Sequence, residues 1–286
     1  MKSFPDIQFP IGDTVAAFID FLALNFKGFF DFLFVIFSST IKATEQGLLM
    51  LPWWLLILIV VAIGTYFTSW KGGITFGVFL FLIGTFDLWS QTMTTLAVII
   101  ISVVLSLLIG IPLGILMAFN RTFASIMRPI LDAMQTMPTF VYLIPVIFFF
   151  PLGNVPAVIA TIIYALPPVM RLTELGIRNV DEEVIESAES FGSSRMQMLM
   201  KVQLPQALPT IMAGVNQTTM MALSMAVVGS MVGADGLGER VLHALNRIDM
   251  SLGFEAGISI VFLAIIIDRI TAGIADKMQS RRGEAS

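Results

Sequence analysis

Five carboxylates, Asp181, Glu182, Glu183, Glu186 and Glu189, fall within nine positions, and Gly192 follows three residues after the last. Acidic side chains suit the positively polarised start of a helix. Asn179, followed by Glu182, can cap that helix with a carboxylate at its third position. Val184, Ala188 and Phe191 recur at i, i+4 and i+7 and give it one apolar stripe. Gly192 can end it, because glycine adopts the left-handed conformation of a helix C-terminus at little cost. Ser193 or Ser194 can cap a second helix through Met196, Met198, Leu199 and Val202, and Pro205 can start the next. Such an element offers docking rather than catalysis: a rigid acidic helix with an apolar edge. A solvated helix packed on its own chain would carry the same signals, since caps report helix ends and not partners.

Catalytic chemistry has little to work with elsewhere. The 286 residues include no Cys and one His, His243. Thiol nucleophiles, thiolate metal sites and His clusters are therefore excluded, and no metal or catalytic residue is expected. The elements that must position the acidic helix are apolar. Hydrophobic residues make up 57% of the chain and charged residues 13%, against about a quarter charged in an ordinary soluble domain. Mean hydropathy is +0.90. That composition excludes a soluble enzyme, a disordered chain and a nucleic-acid partner, and predicts an all-α polytopic membrane protein.

A span needs about 20 apolar residues. Seven are expected, over 48–69, 74–89, 92–119, 136–150, 155–169, 207–232 and 253–274. Residues 1–47 are read as an N-terminal interfacial, amphipathic segment outside the cytoplasm. Within it Asp20, Asn25, Lys27 and Asp31 interrupt the apolar run at intervals too costly for the bilayer centre; an extra span over 26–41 is the alternative. The expected organisation continues with two peripheral spans over 48–90, a core membrane domain over 91–276 and a cytoplasmic tail over 277–286. The core contains a long cytoplasmic loop over 171–206. An outside N-terminus and an inside C-terminus would put 11 of the 16 basic residues on the cytoplasmic side. No removable signal peptide is expected from the first residues.

The spacing Glu186-Ser187-Ala188, three residues, Gly192, nine residues, Val202, one residue, Leu204-Pro205 resembles the EAA signature of ABC importer permeases. Ser187 stands for the first Ala and Val202 for Ile. The runs from Leu131, Asn154, Lys201 and Gly233 also resemble permeases of the glycine betaine/proline osmoprotectant importers, over roughly residues 90–271. The resemblance implies a type I importer permease fold in the bacterial inner membrane. It further implies a partner second copy (or a homologous permease), two cytoplasmic ABC ATPase subunits, and an extracytoplasmic substrate-binding protein. Small quaternary or zwitterionic amines are the implied cargo, with choline, carnitine, proline or trimethylamine N-oxide as alternatives. The chain itself carries no Gly-x-x-x-x-Gly-Lys-[Ser/Thr] run, so ATP and Mg are expected on the ATPase chain, and no cofactor on this one. About ten residues follow the last span, so the binding protein is expected as a separate chain.

The resemblance makes Glu186, Ser187, Ala188, Phe191, Gly192, Leu204 and Pro205 candidate ATPase-coupling residues. Tyr142, Tyr164, Asn216, Gln217, Thr218 and Ser224 are candidates for the translocation path, although intramembrane amides and hydroxyls also serve packing. Gly236, Gly238, Glu239, Arg240 and Arg247 are candidates for contact with the binding protein, against the simpler reading of a surface turn. No Asp or Glu is expected mid-membrane; Asp87 and Asp268 are read near helix ends. That argues against an ion-coupled secondary transporter, the remaining rival.

Overall fold

The computed structural model describes residues 11–283, and these are helical with no strand. Readings that concern residues 1–10 and 284–286 lie outside the described residues. The helices are α1 (Ile11–Asn25), α2 (Lys27–Met50), α3 (Trp53–Phe67), α4 (Trp70–Thr85), α5 (Trp89–Phe119), α6 (Arg121–Thr136) and α7 (Leu143–Phe149). Then follow α8 (Asn154–Arg178), α9 (Glu182–Ser190), α10 (Arg195–Met198), α11 (Leu204–Val228), α12 (Leu237–Arg247) and α13 (Met250–Gly283).

The centre is a three-helix stack of α5, α8 and α11. Glycines bring the backbones together. A Cβ on Gly114 would lie 2.6 Å from Thr173 Cβ and 2.7 Å from the Met170 carbonyl, and one on Gly176 would lie 3.0 Å from the Ala207 carbonyl. The i, i+4 pair Gly110 and Gly114 thus closes α5 onto α8, as small-residue spacings do between membrane helices. Ile100, Val104 and Leu108 point outward along one side of α5.

Helix ends sort into two groups. Trp53, Thr85 and Trp89 line one crevice, so α3 starts where α4 ends and α5 begins. At the opposite end Lys277 donates to the Tyr66 carbonyl at 2.9 Å and lies over the Tyr66 ring, joining α13 to the end of α3.

Four expectations change. First, the fourth span, expected over 136–150, is only a 3-10 turn over 139–142 followed by α7, and it meets α6, a helix ahead of that span, at 117°. Met137 is extended (ψ 135°), because a residue before proline, here Pro138, avoids the helical region. Second, α8 continues to Arg178, so the first eight residues of the expected 171–206 loop are its last turns. Third, the sixth element begins at Arg195, with one wide π turn over Leu199–Gln203 ahead of Pro205. Proline supplies no N–H to the regular ladder at that point. Fourth, Asp268 lies well inside α13, not near its end, and accepts from Asn216 at 3.2 Å.

Two helices form the N-terminal segment, bent by 76°. Phe30 stacks on Phe149, Ile41 and Lys42 line a crevice with residues 151–155, and Glu45 accepts from the Thr94 hydroxyl. All those partners lie where α5 and α8 begin, so α2 crosses that end of the bundle. Fifteen residues separate Phe30 from Glu45, roughly 22 Å of helix.

Candidate coupling helix and its surroundings

The acidic run forms α9. Its cap is Asp181, whose carboxylate accepts from the Glu183 N–H at 3.0 Å. Asn179, expected in that role, instead closes the longer α8. Glu182 and Glu183 fill the first turn. At the other end Gly192 takes φ +76°, and its N–H reaches the Glu189 carbonyl at 2.8 Å. The Ser193 N–H reaches the Ala188 carbonyl at 3.1 Å. Ser194 and Gln197 then form a reciprocal capping box that starts α10. The local signals therefore build a helix, a left-handed turn and a second helix.

No residue of α9 is fully buried. It packs against residues 195–203. Glu186 and Ser187 are exposed, Ala188 is half-buried, and Phe191 is 92% exposed. The stripe through Val184 and Phe191 is not used inside this chain. A large aromatic ring this exposed beside a capped helix is a candidate docking surface. Leu204 and Pro205 do not join it. Leu204 packs against Ile177, Ala207 and Ile211, and Pro205 lines a crevice that includes Met278.

Among the path candidates, Asn216 accepts from the Thr271 hydroxyl at 2.6 Å and donates to Asp268, tying α11 to α13. The Thr218 hydroxyl is buried and donates to the Ala165 carbonyl at 2.9 Å. These two are bundle cross-links. Tyr142 and Tyr164 meet edge to face with ring centroids 5.5 Å apart, and the buried Tyr142 hydroxyl donates to the Met134 carbonyl. Gln217 and Ser224 are exposed on α11, two turns apart on one face.

At the opposite end, Gly236 and Gly238 are buried. A Cβ on Gly236 would meet Thr95, and one on Gly238 would meet the Val227 backbone at 2.9 Å. They pack α12 onto α5 and α11. With its amide oriented to satisfy both groups, Gln91 accepts from Arg240 at 2.7 Å. Glu239 and Arg247 remain exposed.

One cluster escaped the reading of the sequence. Glu174, with its side chain 7% exposed, accepts from Arg128 of α6 at 2.7 Å and forms an ion pair with Arg178 of α8 at 3.1 Å. Arg171 pairs with Asp132. These residues and Gln217 line a cavity of about 480 Å³ between α6, α8 and α11. Arg171, Glu174 and Arg178 at i, i+3 and i+7 are a helix-face signal, hidden once that stretch is taken for a loop.

Residues 110–281 match the family described as the binding-protein-dependent transport system inner membrane component. The chain belongs to that family. It is 45% identical to the glycine betaine/proline betaine transport system permease protein ProW of Escherichia coli, over 95% of this chain and 77% of that one. It is also 45% identical to the glycine betaine/carnitine transport permease protein GbuB of Listeria monocytogenes, over 98% of this chain and 100% of that one. Among solved structures, the MetNI methionine ABC transporter in an inward-facing conformation aligns with TM-score 0.59 at 23% identity. That alignment covers 64% of this chain and 92% of that one, and it bears on fold. A member of the inner membrane component family is a transport subunit, and the bent helices and glycine-packed bundle described above are an ABC importer permease fold.

Proposed function

We propose that the chain is the permease of an ATP-driven importer for small quaternary or zwitterionic amines such as glycine betaine. The observation that carries this is α9: capped at both ends, projecting from the bundle, with Phe191 turned outward. In this reading α9 seats in a separate ABC ATPase that holds ATP and Mg. A second copy completes the pathway, and two ATPase subunits bind beneath the pair. The N-terminus lies outside and the C-terminus in the cytoplasm, so α2 rests in the outer interface. The cargo names carried by the two relatives at 45% identity support a betaine-type amine; carnitine stands in one of those names, and choline, proline and trimethylamine N-oxide remain alternatives. Asp268 inside α13 removes one argument against an ion-coupled carrier, but it accepts from Asn216, and Glu174 is committed to two guanidiniums, so neither is a free proton relay. The test is uptake of labelled glycine betaine into vesicles holding permease, ATPase and binding protein. Uptake should require ATP and all three components. Uptake driven by an ion gradient without ATP overturns the reading.

The binding protein is taken to dock at the end formed by α12 and the starts of α5 and α8, where Glu239 and Arg247 are exposed. Rim charges act mainly on association rate and are screened by salt. Arg247→Glu should slow delivery by about threefold to tenfold at low ionic strength, with the loss shrinking as salt rises. Delivery unchanged at low salt removes Arg247 from that contact.

A further inference from the structure

We propose that the ionic cluster around Glu174 is a clasp that carries movement of α9 into the bent helix pair α6–α7, with Glu174 as its positioning residue. This rests on α9 being the ATPase-docking helix. Only Asn179 and Val180 separate the last residue of α8, Arg178, from the α9 cap Asp181, and Val180 is buried. A rigid shift of α9 therefore reaches the end of α8 with little slack.

One turn before that end stands Glu174. Its Oε1 receives both Arg128 from α6 and Arg178 from α8. The other face of Arg178 donates to the Met117 carbonyl at 2.8 Å, in the last turn of α5, where helix carbonyls lack internal partners. Arg171 donates to Asp132 and, at 3.3 Å, to the Arg128 carbonyl. Three guanidiniums and two carboxylates thus tie α6 to α8 and α8 to α5.

α6 also packs Phe123, Ala124, Met127, Leu131 and Met134 against Leu113, Met117, Leu166 and Met170 of α5 and α8. That apolar seam has no direction of its own, and the charged contacts beside it give α6 a defined register on α8. Beyond the bend at Met137, the Tyr142 hydroxyl holds back onto the Met134 carbonyl, and α7 packs on α8. A change in angle of α6 is passed on to α7, which adjoins the end of the bundle where α8 begins. Charge-assisted hydrogen bonds are short and directional, so the clasp is either closed or broken. That makes it a two-state element of the kind that conveys rigid-body switching.

The experiment uses the full complex in proteoliposomes and measures amine uptake and ATP hydrolysis in the same sample. Glu174→Gln keeps the side-chain shape and removes the charge. Its ATPase should co-purify normally and hydrolyse within about twofold of wild type, while uptake per ATP falls about fivefold to tenfold. Arg171→Asp and Asp132→Arg should each lower uptake per ATP, and the double exchange Asp132→Arg with Arg171→Asp should recover most of it. Uptake and hydrolysis falling together, at an unchanged ratio, would mean that the cluster only holds the fold, and would overturn the clasp. Failure of the double exchange to recover the ratio would do the same. If Glu174→Gln does not reach the membrane, the more exposed 132/171 series decides. Loss of ATPase from the wild-type complex removes the reading of α9 on which the clasp rests; a bound ATPase with a normal ratio in the variants removes the clasp alone.

Discussion

Replacing Phe191 with aspartate is expected to release the ATPase from the complex while leaving the permease folded in the membrane. The ring is 92% exposed and contributes almost nothing to the stability of this chain. It sits one residue before the left-handed turn at Gly192, so its direction is fixed by α9 and by the hydrogen bonds that close it. An aromatic anchor at the centre of an interface typically contributes about 2–4 kcal/mol, a factor of roughly 30 to 1,000 in affinity. Aspartate adds the cost of an unpaired carboxylate against the ATPase surface. ATP-driven uptake should fall in proportion. Affinity of the purified ATPase for Phe191→Asp, set beside the melting temperature of the permease alone, is the deciding pair of measurements. Unchanged affinity would remove Phe191 from the contact. Lowered melting with unchanged affinity would show that the ring serves the fold of this chain instead.

Residues 181–197 were legible in the sequence because their signals are local. A carboxylate cap, a glycine with positive φ and a Ser–Gln box each act within four residues, and no distant contact overrides them. The cap moved only from Asn179 to Asp181, because α8 ran longer than its hydropathy suggested. That extra length is a tertiary effect. Arg171, Glu174 and Arg178 look like the start of a loop when charges are read one at a time; in the bundle Arg171 and Glu174 meet Asp132 and Arg128 on α6, Arg178 meets Glu174 and the Met117 carbonyl of α5, and the helix continues. The helix α6 ahead of the 117° turn escaped for a related reason: Arg121, Arg128, Asp132 and Gln135 break its hydropathy, so the expected span began only at residue 136, and the apolar stripe through Ala124, Met127 and Leu131 went unread. For Asn216 and Thr218 the sequence left path and packing both open, because the partners, Thr271 and Ala165, lie more than 50 residues away. Gly236 and Gly238 were read as outward for a similar reason: a glycine cluster reports a turn, and only the fold reveals what would clash with a Cβ.

The close approach of α5 and α8 gives the second large effect. Gly114→Leu should lower the melting temperature of the detergent-solubilised permease by about 10 °C and remove most transport. A Cβ there would lie 2.7 Å from a carbonyl oxygen and 2.6 Å from Thr173 Cβ. The carbonyl belongs to the α8 backbone and has no rotamer to escape into, so relief requires α5 and α8 to part. Yet α8 is held from the far side by α11, where Gly176 already faces the Ala207 carbonyl at a prospective 3.0 Å. Overpacking of a dense core costs about 1–3 kcal/mol, occasionally more, and a kcal/mol shifts melting by roughly 2–4 °C in a chain of this size class. Gly257→Leu on α13 is the matched comparison, since nothing lies within 4 Å of its Cβ position. It should melt close to wild type. Equal melting for the two variants would mean that glycine contact does not hold α5 to α8. A selective loss at Gly114 with α9 and its caps untouched would establish that the bundle must be tightly packed before a docked ATPase has anything rigid to move.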